Sequence, residues 1–179
     1  MILYEIGEFE VTGDKLLACD PCYIKNGAKP WYNVLIENVL PGTYVVEVLT
    51  FDNEETGGWG DRNAKLIIRH IDYNTEQYFP TMKITGGREG YVGVDSGKAL
   101  FIDKKHYDDY MKMNKKETED FYTQCYVATA ITNPGAGIVS GIPVSRSGYG
   151  DGCYDVFVER NKEGKVVAAS IEFMQEEEI

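Results

Sequence analysis

Apolar and polar positions alternate most regularly near the C-terminal end of the chain. Over residues 153–160, Tyr154, Val156 and Val158 fall on one face. Over residues 165–173, Val167, Ala169, Ile171 and Phe173 share a face while Ser170 and Glu172 point the other way. A period of two belongs to half-buried strands. Asn161-Lys162-Glu163-Gly164 between the two runs suits a type I turn closed by a glycine with positive φ. Together they predict a β-hairpin, entered from the glycine-rich turn Ser147-Gly148-Tyr149-Gly150-Asp151-Gly152.

Further strands are expected over residues 43–51, over 63–71 paired with it, and, as short strands, over 2–11 and 15–19 joined hairpin-fashion by Thr12-Gly13-Asp14. Pro21, lacking an amide donor, ends the strand that runs into Cys19-Asp20-Pro21-Cys22. Trp31, Tyr32, Val34, Leu35 and Ile36 form a short apolar segment, and residues 78–85 a further strand interrupted by Pro80. Residues 91–94 and 99–102 flank a tight turn at Asp95-Ser96-Gly97. Asp103 reads as the N-cap of a helix beginning at Lys104. Residues 115–123 continue that helix or start another, with Phe121, Tyr122 and Cys125 facing inward. Residues 125–132 (CYVATAIT) return to strand character, and 138–144 are short and apolar. The expected fold is α+β: a predominantly antiparallel sheet, sandwich or partly open barrel, with one or two helices inserted around residues 103–124 of a single β-rich domain spanning 1–179.

Composition adds little beyond an ordinary globular chain rich in tyrosine, which has 13 of them in 179 residues. No apolar run approaches the ~18 residues of a membrane span, and the N-terminal stretch lacks the basic start of a signal peptide, so a cytoplasmic protein without a membrane partner is expected. Charge changes the picture more. The formal net charge is -11, with 4 basic and 11 acidic residues over 1–62, and 3 basic and 8 acidic over 150–179. Such a molecule is repelled by phosphate backbones, whose binding needs neutralising lysines and arginines, so direct nucleic-acid binding is not expected. A basic protein partner is attracted at long range, although net charge also serves solubility alone.

Several short motifs occur in a fixed order: Gly13-Asp14-Lys15-Leu16 leading to Asp20-Pro21, then Pro41-Gly42-Thr43-Tyr44, then Gly93-Val94-Asp95-Ser96-Gly97, then Ser147–Gly152 with the hairpin through Val166-Val167-Ala168. In that order they resemble the bacterial and phage family catalogued as domain of unknown function 4241. The resemblance spans most of the chain and is weakest across residues 103–132. It implies a compact all-β or α+β fold and brings no assigned activity. The Cys19/Cys22 pair and the lysine-rich helix fall outside its pattern.

Each candidate constellation has a plainer reading beside it. Cys19 and Cys22 have the spacing of a zinc half-site or a redox dithiol, but Cys125, Cys153, His70 and His106 offer no second pair. A redox motif opens a helix, whereas this one follows a strand; packed, reduced thiols are the alternative. Asp20, Asp61, Asp95 and Asp151 sit at strand-to-turn junctions. If the loops of Asp20, Asp95 and Asp151 meet, they gather carboxylates able to hold Mg²⁺ or Mn²⁺ for hydrolysis of nucleotides or nucleic acid; aspartate also caps turns on its own account. Neither Ser96 nor Ser147 lies in a nucleophile elbow, His70 reads as structural, and the glycines around Tyr149 match no phosphate-binding loop. Lys104, Lys105, Lys112, Lys115 and Lys116 form a stripe balanced by Asp108, Asp109 and Glu117. Gly58-Trp59-Gly60-Asp61 and Gly148-Tyr149-Gly150-Asp151 repeat one pattern, through duplication or as two solutions of one turn.

Trp59, Asp61, Tyr149 and Asp151 therefore form the expected contact surface, aromatics supplying anchor area and carboxylates complementing arginine and lysine. The expected protein is a non-enzymatic, acidic interaction protein of phage or mobile-element type, without metal or cofactor. It inhibits a nucleic-acid-handling bacterial enzyme, such as a defence nuclease of the CRISPR effector class, by occupying a basic site. The alternatives are the metal-dependent hydrolase acting through Asp20, Asp95 and Asp151, and a nucleotide-sequestering pocket lined by Tyr149 and its glycines.

Overall fold

A computed structural model describes residues 1–26, 32–73 and 86–174. Along them run β1 (Ile2–Val11), β2 (Lys15–Cys19), α1 (Pro21–Asn26), β3 (Val34–Glu37), β4 (Gly42–Phe51), β5 (Arg62–His70), β6 (Arg88–Val94) and β7 (Lys98–Asp103). Then follow α2 (Lys104–Tyr110), α3 (Lys115–Ala130), β8 (Ala136–Val139), β9 (Ile142–Arg146), β10 (Gly152–Arg160) and β11 (Val166–Glu172). They form a six-stranded sheet in the order β1-β4-β5-β11-β10-β6 and a five-stranded sheet in the order β3-β2-β7-β9-β8. All neighbours are antiparallel.

The sheets face each other across one core, where Phe9, Tyr44, Val46, Leu66, Ile68, Val156 and Ile171 of the first meet Leu16, Ile36 and Phe101 of the second. At one seam Ile138 of β8 lies against Gly7 of β1, and at the other Val34 of β3 lies against Gly90 of β6. The seams are packed without strand pairing, so the fold is an open α+β sandwich, not a closed barrel. Helices cover the outer face of the smaller sheet: Tyr107 of α2, Phe121 and Cys125 of α3 and Ile24 of α1 pack on Leu17, Leu100, Ile102 and Val144. Each large apolar side chain removed from water there contributes about 1.5–3 kcal/mol.

The C-terminal hairpin forms as its alternation predicts, with Val156 opposite Ile171 and Val158 opposite Ala169. Asn161 Oδ1 accepts from the amides of Glu163 (3.0 Å) and Lys165 (2.9 Å), and Gly164 takes φ +78. The pairing of β4 with β5 also forms. Two expectations are corrected. Thr12-Gly13-Asp14 does not close a hairpin, because β1 lies in the larger sheet and β2 in the smaller. The tight turn at Asp95-Ser96-Gly97 forms as expected between β6 and β7, and it too carries the chain from one sheet to the other. Residues 125–130 are helical: the buried positions of α3 are Thr118, Phe121, Cys125 and Thr129, spaced 3, 4 and 4 apart. That periodicity outweighs the β-branched composition, and a capping box between Asn114 and Glu117 starts the helix. Residues 138–144 divide at Ser140-Gly141, both with positive φ, into β8 and β9. Trp31 and the strand expected at 78–85 lie outside the described residues.

The chain contains an internal repeat. Residues 12–22 and 95–105 perform the same steps: a turn crosses between sheets, a strand of the smaller sheet follows, and an aspartate ends it and caps a helix. Lys15-Leu16-Leu17-Ala18-Cys19-Asp20 corresponds to Lys98-Ala99-Leu100-Phe101-Ile102-Asp103. The pairings obey the same symmetry, β1-β4-β5 of one half matching β6-β10-β11 of the other about β5 and β11. Gly42-Thr43-Tyr44 opens β4 as Gly152-Cys153-Tyr154 opens β10. The two Gly-aromatic-Gly-Asp segments are not equivalent under it, since one joins β4 to β5 and the other joins β9 to β10. They are separate solutions of one turn.

Candidate functional site

The loops before β5, β7 and β10 and the start of α1 gather at one end of the sandwich, around Asp20. Pro21 at the first helical position and Asp20 at the cap make α1 begin directly after β2, which corrects the expectation that Cys22 follows a strand alone. Asp20 is fully buried. Its Oδ1 accepts from the Cys22 amide (2.7 Å) and the Ser96 hydroxyl (2.7 Å), and its Oδ2 accepts from the amides of Asp95 (2.8 Å) and Ser96 (2.7 Å). A desolvated carboxylate needs such donors; the bond from the Cys22 amide caps α1, and the three from Asp95 and Ser96 tie β2 to the turn between β6 and β7.

The neighbouring groups extend the network. Tyr23 donates to Asp95 Oδ2 (2.9 Å) and stacks on Tyr32, ring centres 5.4 Å apart. Burial, followed by the bond to Asp95, pushes the Tyr23 hydroxyl well above the ordinary tyrosine range. Lys98, 8% exposed, donates to the Ser96 carbonyl (2.7 Å) and lies over the rings of Tyr126 (5.1 Å) and Tyr122 (5.7 Å), one turn apart on α3.

The glycine turn docks on this cluster. The Ser147 amide donates to the Gly97 carbonyl (3.1 Å). The Ser147 hydroxyl and the Tyr154 hydroxyl both donate to the Gly150 carbonyl, each at 2.7 Å. Gly148 has φ +49, and a Cβ there would meet Met174 and Phe173 at 3.1–3.3 Å, so the position requires glycine. Tyr149 is thereby left 56% exposed, with the Arg62 guanidinium 5.9 Å from its ring centre. Arg62 also donates to the Asp61 carbonyl (3.2 Å). Trp59 stands in the loop before β5, 69% exposed.

Of the sequence-derived candidates, the fold thus brings Asp20, Asp95 and Asp151 to one end. All three raise the Cys22 thiol, after the larger effect of burial. Their roles differ: Asp20 is enclosed by donors, while Asp95 and Asp151 face solvent. Among the described residues no three His, Cys, Asp or Glu side chains come together as a metal site. Cys19 is wholly buried, and burial raises its thiol well above the ordinary range; Cys125 is pushed up to about 12 by the same cause. Thiols held in this way are packing groups, not nucleophiles. His70 is far off at the other end of β5, edge-on to Tyr44, with the Asp72 amide donating to its Nδ1 (3.2 Å). In the lysine stripe Lys104, Lys112 and Lys115 pair with Asp108, Asp109 and Glu119, while Glu117 serves the capping box. Sequence reasoning missed Tyr23, Lys98, Tyr122 and Tyr126 here; the one local signal is that Lys98 directly follows the Asp95-Ser96-Gly97 turn.

A family model described as "Protein of unknown function (DUF4241)" matches residues 9–171. No curated protein and no solved structure matches the chain. No helix among the described residues is long and apolar enough to cross a membrane.

Proposed function

The chain belongs to the DUF4241 family, and we propose that it is a non-enzymatic binding module. Its loop end, carrying Trp59, Asp61, Tyr149 and Asp151, receives a basic site of a partner protein. One observation carries this reading: the chain's own Arg62 already lies over the exposed ring of Tyr149. A partner arginine can use the same chemistry, a cation against a tyrosine ring, with the exposed carboxylates of Asp61 and Asp151 on the neighbouring turns. Exposed aromatics on a braced loop lose little side-chain freedom on binding, which favours them as anchors. The net charge of -11 adds steering that salt screens beyond roughly 8–10 Å. Proteins that grip nucleic acid display lysine and arginine to phosphates, so a nucleic-acid-handling enzyme fits as partner. Occupation of its basic site by carboxylates excludes the phosphate backbone and inhibits it. Asp20 weighs against the hydrolase alternative, because its oxygens already accept four protein donors.

Affinity capture from a bacterial lysate tests the proposal, using the wild-type chain and the Trp59→Ala/Tyr149→Ala variant at low and high salt. A basic partner held at low salt, released at high salt and lost by the variant is expected. Equal capture by the variant, or no partner at either salt, overturns the reading. So does turnover of labelled RNA, DNA or nucleotides with Mg²⁺ or Mn²⁺ that disappears in Asp151→Ala.

A further inference from the structure

β1 is an edge of the larger sheet. It pairs with β4 on one side, and among the described residues no backbone group bonds its other edge. In a ten-residue antiparallel edge strand about half of the N–H and C=O groups point outward without a strand partner. The strand is bulged between Glu5 and Gly7, and the shift decides what the edge displays. Glu5 stands opposite Glu47, Glu8 opposite Val45 and Glu10 opposite Thr43, whereas Tyr44, Val46 and Val48 of β4 point into the core. Unbulged alternation would put Glu5 and Glu8 on opposite faces; the bulge aligns all three exposed glutamates on the outer face.

Beside this row a cavity of about 300 Å³ opens, walled by Glu5, Val45, Glu47, Arg69, His70 and Tyr73. Arg69 is ion-paired with Glu47, so Glu5 is the acidic wall that Arg69 does not neutralise. The edge at the other side of the sheet differs: on β6, Arg88 pairs with Asp155 and Glu89 with Arg160. A second copy of β1 would set glutamate against glutamate, which disfavours pairing. A strand bearing lysine or arginine at alternate positions meets the row with opposite charge while its main chain completes the ladder.

We propose that the free edge of β1 accepts an extended lysine- or arginine-bearing segment of a partner protein as an added strand, with its cationic side chains facing Glu5, Glu8 and Glu10. The proposal stands on different residues from the loop-end reading and does not depend on it.

A fluorescein-labelled ten-residue peptide of alternating lysine and valine tests it, with anisotropy and amide hydrogen exchange on the full chain as readouts. Saturable binding is expected, with slowed exchange within residues 2–11. The Glu5→Gln/Glu8→Gln/Glu10→Gln variant should bind about tenfold more weakly or worse. The same peptide N-methylated at alternate residues, which removes main-chain donors but keeps charge, should weaken similarly. Trp59→Ala/Tyr149→Ala should bind as wild type does. Equal binding of the methylated peptide overturns strand addition, and protection away from β1 overturns the location. Loss of binding in the Trp59/Tyr149 variant alone assigns the peptide to the loop end instead. A dimer formed through β1 in place of peptide binding makes the occupant a second copy and refutes the proposal.

Discussion

Replacing Asp20 tests how the loop end is held. In Asp20→Ala the amides of Cys22, Asp95 and Ser96 and the Ser96 hydroxyl lose their acceptor together. Each buried donor left unpaired costs about 1–3 kcal/mol. Water reaching the more exposed Asp95 side recovers part of that, so a net loss of about 3–5 kcal/mol is expected. Asp20→Asn is the sharper variant because it preserves shape. An amide has one acceptor oxygen, and both Oδ2 partners are backbone N–H groups that cannot turn around. The oxygen must therefore face Asp95 and Ser96, leaving the NH₂ toward the Ser96 hydroxyl and the Cys22 amide. The hydroxyl can rotate and accept; the amide cannot, so one donor faces another. A cost of about 2 kcal/mol follows, between wild type and alanine. Urea titration followed by tryptophan fluorescence reads both variants as shifts of midpoint at constant slope. An asparagine variant within about 0.5 kcal/mol of wild type would refute the idea that the carboxylate clamps these segments.

Asp103 predicts an acid limb. Burial alone would raise its carboxyl, but the amides of Thr12, Lys105 and Gly13 and the Thr12 hydroxyl outweigh this and hold it below the ordinary value of 3.8. A lowered folded-state pKa contributes stability that is complete above the unfolded value and lost as pH falls through the folded one. Stability should therefore decline below about pH 4, and Asp103→Asn should flatten that decline; an unchanged acid profile in the variant would contradict it. Gly148→Ala should cost more than Gly164→Ala in the same titration. Both glycines have positive φ, worth about 1–2 kcal/mol to a side chain, but a Cβ at Gly148 meets Met174 and Phe173 at 3.1–3.3 Å while Gly164 faces open space. Equal costs would mean the glycine turn is not packed as described.

What the sequence reveals here depends on how far apart the cooperating residues lie. Alternation finds the β10–β11 hairpin because Val156 and Val158 stand opposite Ile171 and Ala169 in the core, and the cap at Asp103 is visible because its donor Lys105 is two residues away. Partnership across the sheets is hidden. The donors that bring the 12–13 turn to Asp103 and the 95–96 turn to Asp20 lie 75–91 residues away, so locally each turn looks like a hairpin. In α3, residues 125–130 are rich enough in β-branched and aromatic side chains to look extended. Only their continuation of the Thr118–Phe121 stripe shows the helix. The convergence of Asp20, Asp95 and Asp151 was legible as a condition, whereas the filling of Asp20 by donors depends on a fold that had first to be seen.

The internal repeat indicates which part of the loop end is special. Asp20 and Asp103 make equivalent bonds at opposite ends of the β2–β7 pair, each capping a short helix and gripping two amides of the other half's crossing turn. Such clamps are therefore architecture, present wherever the fold needs them, and a role peculiar to one end must lie in what the other lacks. Lys15 and Lys98 occupy equivalent positions, yet Lys15 is exposed in an ion pair with Glu37 while Lys98 is buried beneath Tyr122 and Tyr126. Those tyrosines belong to α3, which with β8 is inserted in the second half. The turn before β10 projects Tyr149, whereas the equivalent stretch before β4 ends at Pro41 against His70. An insertion that backs one crossing turn through Lys98, beside a glycine turn that leaves an aromatic ring in solvent, makes the Asp20 end the more heavily braced of the two. If this end is the proposed contact surface, Trp59→Ala/Tyr149→Ala loses partner capture while its urea midpoint stays within about 0.5 kcal/mol of wild type; a variant that loses both marks one more structural corner.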